Sequence, residues 1–470
     1  MMRSLTNTCL LALLVLASAC QTSVPEAQPL PEPVEPVTVE PEAPTQPNLI
    51  LISTDTLRAD AASVYGGPAK TPHLEALARD GWLFERCISP TMLTNPAHAS
   101  MFTALYLKDH GVYDNQSGIA DNLPTLTQEL KRAGYATAAV MGFPHMNPNV
   151  INLGKGFDEI QEATRNELNA QETIAAGLAL LDKLPKDKPF FLFLHIVDPH
   201  SPYEDLGAVD PAVPLLGTPV PMARAKAAAP NFQKSNKWFK KVFSELDSTR
   251  PLLERYNQEV EAVDAGMGDL IAGLAKRQLS DTTAMIFTAD HGENLGRHEL
   301  YFHHGSLFAE DVHVPLIIHV PWKSSARVKG WTQTVDIAPT MLSLANVDIW
   351  QPHRGIDLIE VVEGKREARS AAFSEHLYAQ LASIRTDDGT LIQHLKTTKQ
   401  FPTYPIIKGN REFYQALDYP SEDRRLDASS PAAQMLEKEL KAFLTDRLSS
   451  VPKPATGQDM DSLRALGYID

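Results

Sequence analysis

Three apolar runs in this chain end on an acidic residue. They are NLILISTD (48–55), KPFFLFLHIVD (188–198) and AMIFTAD (284–290), the last continuing into His291 and Gly292. Short, continuously apolar runs rich in Ile, Leu, Val and Phe read as strands buried on both faces, as in parallel sheets. Helical patterns lie between them. TPHLEALARDG (71–81) reads as a helix closed by glycine, and 124–133 as another, followed by a strand over 135–141. Residues 314–320 read as a further strand. This alternation predicts an α/β fold, with a mainly parallel sheet sandwiched by helices. Ligands in such folds collect at the carboxyl ends of the strands. Asp55, Asp198, Asp290 and His291 would then share one edge. Carboxylates held together out of water are costly unless a positive charge offsets them, and a divalent cation is the simplest one.

A hydroxyl beside such a cation is a competent nucleophile. TNPAHASMFTALY (94–106) supplies one at the start of a helical run. By itself Thr94 reads as a residue of the turn that opens the helix. Next to a cation on Asp55, Asp290 and His291, its hydroxyl and the first N–H groups of the helix would face an anion. His98 lies one turn on, on the same face. His200 and the pair His303-His304 could supply charge to a tetrahedral anion, or a proton to a leaving oxygen. This set suits transfer of a phosphoryl or sulfuryl group.

The formal net charge of −15 over 470 residues argues against a nucleic-acid partner. Three cysteines, Cys9, Cys20 and Cys87, make no disulfide framework. Residues 1–20 read as a signal peptide: one basic residue, an apolar run too short to span a bilayer, then Ala17-Ser18-Ala19-Cys20. This leader resembles those of bacterial lipoproteins, which implies lipidation of Cys20. Residues 21–47 hold eight prolines and five glutamates, the composition of an extended linker. A location at the bacterial cell envelope follows as an expectation, with the chain lipid-anchored to a membrane in the periplasm or at the cell surface. Residues 48–351 read as the catalytic domain. Within it, 206–250 are a surface excursion or a lid over the site. Residues 352–470 read as a smaller C-terminal α+β subdomain.

The motifs taken together resemble the sulfatase family of the alkaline phosphatase superfamily. NLILISTDTLRAD, TPHLEALARDG, TNPAHASMFTALYLKDHGV, IVDPHSPY, FTADHGENLG, HHGSLFAEDVHVPLII, VDIAPTMLSLA and LRALGY occur in the family's order. The resemblance implies an alkaline phosphatase-like fold and one divalent metal ion (Ca, Mn, Zn or Mg) held by Asp55, Thr94, Asp290 and His291. It implies Thr94 as nucleophile, with Asn115, His98, His200 and His304 contacting the substrate and His200 or His304 protonating the leaving group. Four departures matter. Thr56 follows Asp55 where many members have a second aspartate. His291 stands where many have asparagine, as in the branch of phosphonate monoester and phosphodiester hydrolases, and Asn115 also matches that branch. Thr94 replaces the Cys or Ser that is converted to formylglycine, and His98 replaces arginine. No formylglycine is expected, so the threonine must form a covalent ester that water then cleaves. The expected activity is metal-dependent hydrolysis of sulfuric or phosphoric/phosphonic esters, on a small anionic ester or a glycan- or lipid-type substrate. The alternatives are an envelope phosphoryl-group transferase and a catalytically inactive, sulfatase-like binding protein.

Overall fold

The computed structural model describes residues 43–448, apart from 144–145, 147, 164–166, 208–211, 229–236, 377–379, 399–402, 417–421 and 447. Cys20, the leader and most of the linker lie outside the described residues, as does the LRALGY motif.

The first strands are β1 (Asn48–Thr54), β2 (Trp82–Ile88), β3 (Ala136–Met141), β4 (Glu159–Glu162), β5 (Phe190–Ile196) and β6 (Thr283–Ala289). A small hairpin, β7 (Asn294–Leu295) and β8 (Tyr301–His303), follows, then β9 (His313–Val314), β10 (Leu316–His319) and β11 (Ala326–Gln333). The main sheet runs β11-β2-β10-β6-β1-β5-β3-β4, with β9 also on β2. β1 lies at its centre, parallel to β5 and β6. Leu49, Ile50, Leu51 and Ile52 are all fully buried, because helices cover both faces. Burying each such side chain stabilises the fold by about 1.5–3 kcal/mol.

The helices Pro72–Arg79, Ala170–Lys183 and Arg250–Lys276 pack together as one group, and Thr94–Thr103, Leu126–Arg132 and Ile337–Leu344 as a second. The expected helices over 71–81 and 124–133 are thus present. The second begins at a capping box, in which Thr125 and Gln128 satisfy each other's backbone N–H.

The strand expected over 314–320 differs from expectation. It is broken at Pro315 and runs antiparallel to both β6 and β2. Proline cannot donate to the ladder, so the strand is interrupted there. β2 and β11 did not register as strands in the sequence. Glu85 and Arg86 sit half-buried in mid-strand in β2, and β11 carries Lys329 and Gly330.

The C-terminal part contains an antiparallel sheet of five strands: β12 (Ala372–Glu375), β13 (Leu381–Thr386), β14 (Gly389–His394), β15 (Arg411–Tyr414) and β16 (Arg425–Leu426). The helix Pro431–Thr445 covers it with Ala433, Leu436 and Leu440. β12 meets the loop that leads to Thr94. Ser374 Oγ donates to Ser89 O (2.7 Å) and Glu375 N to Pro90 O (2.8 Å). Of the excursion at 206–250, the helix Lys237–Glu245 buries Phe239, Val242 and Phe243 and leaves Lys237, Lys240 and Lys241 in solvent.

Candidate active site

Two strand ends set the centre. The register pairs Thr54 with Ala289, and Ser53 with both Thr288 and His195. Asp55 and Asp290 therefore leave the sheet side by side. The ladder continues one residue further, with Asp55 N donating to Ile196 O (2.8 Å) and Asp290 N to Thr54 O (3.1 Å). Both carboxylates are fully buried. Asp290 Oδ1 accepts from the backbone N–H of His291 (2.7 Å) and of Thr56 (3.3 Å). Asp290 Oδ2 and both carboxylate oxygens of Asp55 have no hydrogen-bond partner among the described residues.

His291 Nδ1 donates to Gly292 O (2.9 Å), which leaves Nε2 as the lone-pair nitrogen. That nitrogen lies 3.7 Å from Asp55 Oδ1, 3.7 Å from Asp290 Oδ2 and 3.5 Å from Thr94 Oγ1. The turn needs glycine at 292, because an added Cβ would sit 2.1 Å from Glu310 O.

Burial, then the charges of Asp290, Glu293 and Glu167, push the Asp55 carboxyl well above the usual range. Burial pushes Asp290 up to about 6 and His291 down to about 3. The centre is thus two carboxylates with unused oxygens and one neutral imidazole, their ligand atoms within 4.8 Å of one another. Orphaned buried carboxylate oxygens facing a lone-pair nitrogen fit a divalent cation, and a mixed N,O donor set suits Zn²⁺ or Mn²⁺ as well as harder ions.

Thr94 is the first residue of its helix and 3% exposed. Asn115 holds that helix start. Its Oδ1 accepts from Asn95 N (3.0 Å) and its carbonyl from Asn95 Nδ2 (2.9 Å). Asn115, His200 and His304 are half-buried, unlike the fully covered Asp55, Asp290 and His291. The His304 ring lies 4.4 Å from His291 and 6.1 Å from His200. His304 also hydrogen-bonds the backbone of Met92, and burial holds it neutral.

Two expectations are corrected. His98 was expected to cradle the anion, but it is fully buried behind Thr94. Its Nδ1 lies 2.8 Å from Thr94 O and its Nε2 3.0 Å from Ser53 Oγ. Burial lowers its pKa, so it has neither a spare N–H nor a charge for the substrate. It pins the backbone of Thr94 to β1. Asp198 was expected beside Asp55 and Asp290. Instead its Oδ2 accepts from Ala170 N (2.6 Å) at the start of the helix Ala170–Lys183.

Other residues at the centre gave no sequence signal that was followed. His195 stands in FFLFLHI as the one polar side chain of β5 and points to the cluster, 3.8 Å from Asp55 Oδ2. Thr56, directly after Asp55, has φ +58°, a strained conformation for a β-branched residue. Tyr256, fully buried on the helix Arg250–Lys276, holds that turn. Its hydroxyl donates to Thr56 O (2.8 Å) and accepts from Arg58 N (3.1 Å). Nothing in the local sequence links position 256 to position 56. Tyr256→Phe removes two hydrogen bonds at about 1 kcal/mol each and keeps the volume. It is expected to weaken cation binding about tenfold, measured by titration calorimetry, with little change in fold. Unchanged affinity would assign the contact to stability alone.

A hydroxyl at a helix start, 3.5 Å from an imidazole that itself faces two buried acids at the edge of an α/β sandwich, is an arrangement suited to hydrolysis of anionic esters. The comparisons place it more closely. The Sulfatase family model matches residues 47–347, and that for the C-terminal part of N-sulphoglucosamine sulphohydrolase matches 296–442. The chain belongs to the sulfatase family, whose members are ester hydrolases. An ulvan-active sulfatase of Formosa agariphila is 24% identical over 460 residues, spanning 91% of this chain and 86% of its own length. The N-acetylglucosamine-6-O-sulfatase of Bacteroides thetaiotaomicron is 25% identical over 501 residues, spanning 85% and 87%. Among solved structures, the phosphonate monoester hydrolase of Silicibacter pomeroyi shares the fold. Its TM-score is 0.65 at 22% identity, with 85% of this chain and 94% of that one covered.

Proposed function

We propose that this chain hydrolyses phosphoric or phosphonic esters, and sulfuric esters less readily, through an unmodified Thr94 nucleophile. The observation that carries the reading is the position of Thr94 Oγ1, 3.5 Å from the lone-pair nitrogen of His291, which itself faces the unused oxygens of Asp55 and Asp290. Asp55, Asp290 and His291 would hold a divalent cation. When bound, it supplies Lewis acidity that favours the threonine alkoxide and offsets charge on the ester.

The residues of the chain do the rest. His98 fixes the backbone of Thr94, and Asn115 fixes the start of its helix. Thr94 Oγ1 attacks phosphorus or sulfur in line, and the bond to the leaving alcohol's oxygen breaks. His200, at the rim, gives that oxygen a proton. His304 contacts the anion. Water then cleaves the threonyl ester, restoring the hydroxyl and releasing the acid product: inorganic sulfate or phosphate from a monoester, the organophosphonate from a phosphonic ester, or the remaining monoester from a phosphate diester.

Two of the relatives are named for sulfated glycans or sugars, which supports a sugar-borne ester as substrate. A lipid anchor at Cys20 would hold the enzyme at the bacterial envelope. Among the described residues no helix is long and apolar enough to cross a membrane. The test is a panel of matched aryl phosphate, phosphate diester, phosphonate and sulfate esters on the cation-loaded protein, with Thr94→Ala beside it. Thr94-dependent turnover of the phosphorus esters is expected to lead. Faster Thr94-dependent turnover of the sulfate ester would reverse the substrate order.

A further inference from the structure

We propose that the C-terminal sheet completes the active site, with His376 as the residue that positions His304 against the ester. The proposal rests on the reading of His304 as a contact to the anion.

Residues 304–308, between β8 and the short helix Ala309–Val312, belong to no strand or helix. Their buried backbone groups need partners elsewhere. Two carbonyls of this loop, and the first N–H of the short helix, find them in the C-terminal part. His376 Nε2 donates to Gly305 O (3.0 Å), Arg385 Nη2 donates to Leu307 O, and Ala309 N donates to Glu422 Oε2 (2.7 Å). A carbonyl can only accept, so the proton of the first contact sits on His376 Nε2. Gly305 directly follows His304, so that contact fixes the peptide that aims the imidazole.

His376 follows the last residue of β12, and its own N–H carries the ladder on to Leu381 O (3.0 Å). Side chains two apart on an extended strand share a face. Ser374 and His376 are both fully buried and reach to the two loops of the site. Ser374 bonds Ser89 O before Thr94 (2.7 Å), and His376 bonds Gly305 O after His304. Between them, Glu375 N donates to Pro90 O (2.8 Å) and Glu375 Oε1 accepts from Lys108 N (3.0 Å). Three consecutive residues thus tie the approach to Thr94, the segment beyond its helix and the His304 loop to one strand end.

The pair Arg385–Glu422 holds the far side of the same loop. Both side chains are fully buried, with Arg385 Nε on Glu422 Oε1 (2.9 Å) and Nη2 on Oε2 (3.1 Å). Such a pair adds little stability over apolar residues of equal volume. What apolar residues could not supply is the donor for Leu307 O and the acceptor for Ala309 N. Around these contacts Met92, Leu93, Leu307, Phe308, Leu381 and Ile392 share one apolar cluster, distinct from the main core. Both loops of the site are therefore packed on the C-terminal sheet.

A positioning residue acts only through the residue it holds, so the test is a double-mutant cycle. kcat and KM are measured on an aryl phosphate and an aryl sulfate, with thermal midpoints alongside. His304→Ala is expected to raise KM about tenfold. His376→Leu removes the donor and keeps the bulk. It is expected to raise KM about fivefold, with kcat within about twofold of wild type. His376→Gln puts an amide N–H at about the reach of Nε2 and should return KM to within about twofold. In the His304→Ala background, His376→Leu should add nothing. Leu440→Ala, in the separate cluster under the helix Pro431–Thr445, should lower the midpoint and leave KM unchanged. Should His376→Leu misfold, His376→Asn, whose amide stops short of Gly305 O, takes its place. An unchanged KM in the folded His376 variant, an equal rise in Leu440→Ala, or full additivity in the double variant overturns the proposal. A raised KM in His304→Ala alone would leave the anion contact standing while removing His376 from it. An unchanged KM in His304→Ala would remove both.

Discussion

Thr94→Ala is expected to lower turnover by about 10⁴- to 10⁶-fold, whereas Thr94→Ser stays within about tenfold of wild type, the pattern left by deleting or keeping a nucleophile. The two variants separate chemistry from structure. Thr94 is nearly buried at the first position of its helix, one residue past the N-cap Leu93, and its hydroxyl faces His291 Nε2 at 3.5 Å. Alanine therefore costs the helix little. His98 still reaches the carbonyl of residue 94, because that contact is to backbone. Serine restores a hydroxyl at the same site, though without the methyl that restricts its rotamer. Acid-quenched samples of wild type turning over a phosphorus ester should carry a phosphorylated peptide containing Thr94, read by mass spectrometry. Turnover by Thr94→Ala within tenfold of wild type would end the mechanism.

Chelation is expected to abolish turnover, and the stabilisation given by added cation should be larger at pH 7.5 than at pH 5. Asp290 titrates at about 6 in the folded, cation-free protein, above its ordinary 3.8, because it is buried. A carboxyl with a raised folded pKa stabilises the fold while it is protonated, and that contribution is lost as the pH rises through 6. A cation binding the ionised form offsets the loss. Below pH 6 it must compete with the proton. At pH 5 this one group weakens apparent affinity about tenfold, or ~1.4 kcal/mol, and Asp55, raised still further, adds to it. Cation at a thousandfold its Kd should stabilise by about 4 kcal/mol at the higher pH. The measurement is the difference in thermal midpoint with and without cation at each pH. An increment that is equal at both, or larger at pH 5, would show that these carboxylates are not the ligands.

The acidic pair at the centre was legible because a buried parallel strand announces itself by composition, and its carboxyl end is where such folds place their sites. Asp55 and Asp290 could be picked out from NLILISTD and AMIFTAD alone. His195 could not, although it is the penultimate residue of β5. An isolated histidine in an apolar run reads as a satisfied core residue, and only the register with Ser53 turns it toward Asp55. Tyr256 is further still from recognition. It reaches Thr56 across 200 positions of sequence, from a helix whose amphipathic pattern accounts for it as core. His98 misled in the opposite direction. The motif suggested a contact with the anion, but both of its ring nitrogens are taken up by Thr94 O and Ser53 Oγ.

What the sequence by itself determined was the alternation of strands and helices, the two acidic strand ends, the threonine at a helix start and the family those motifs belong to. These are local properties, fixed by side-chain period, turn chemistry and the order of short motifs. The tertiary structure alone decided which strand runs against the others, which imidazoles face the carboxylates and which face away. It also decided that Asp198 caps a helix rather than joining the cluster. Those outcomes depend on strand register and on contacts between residues far apart in the chain. A one-residue change in register would turn His195 away from Asp55 without altering a single letter of the local pattern.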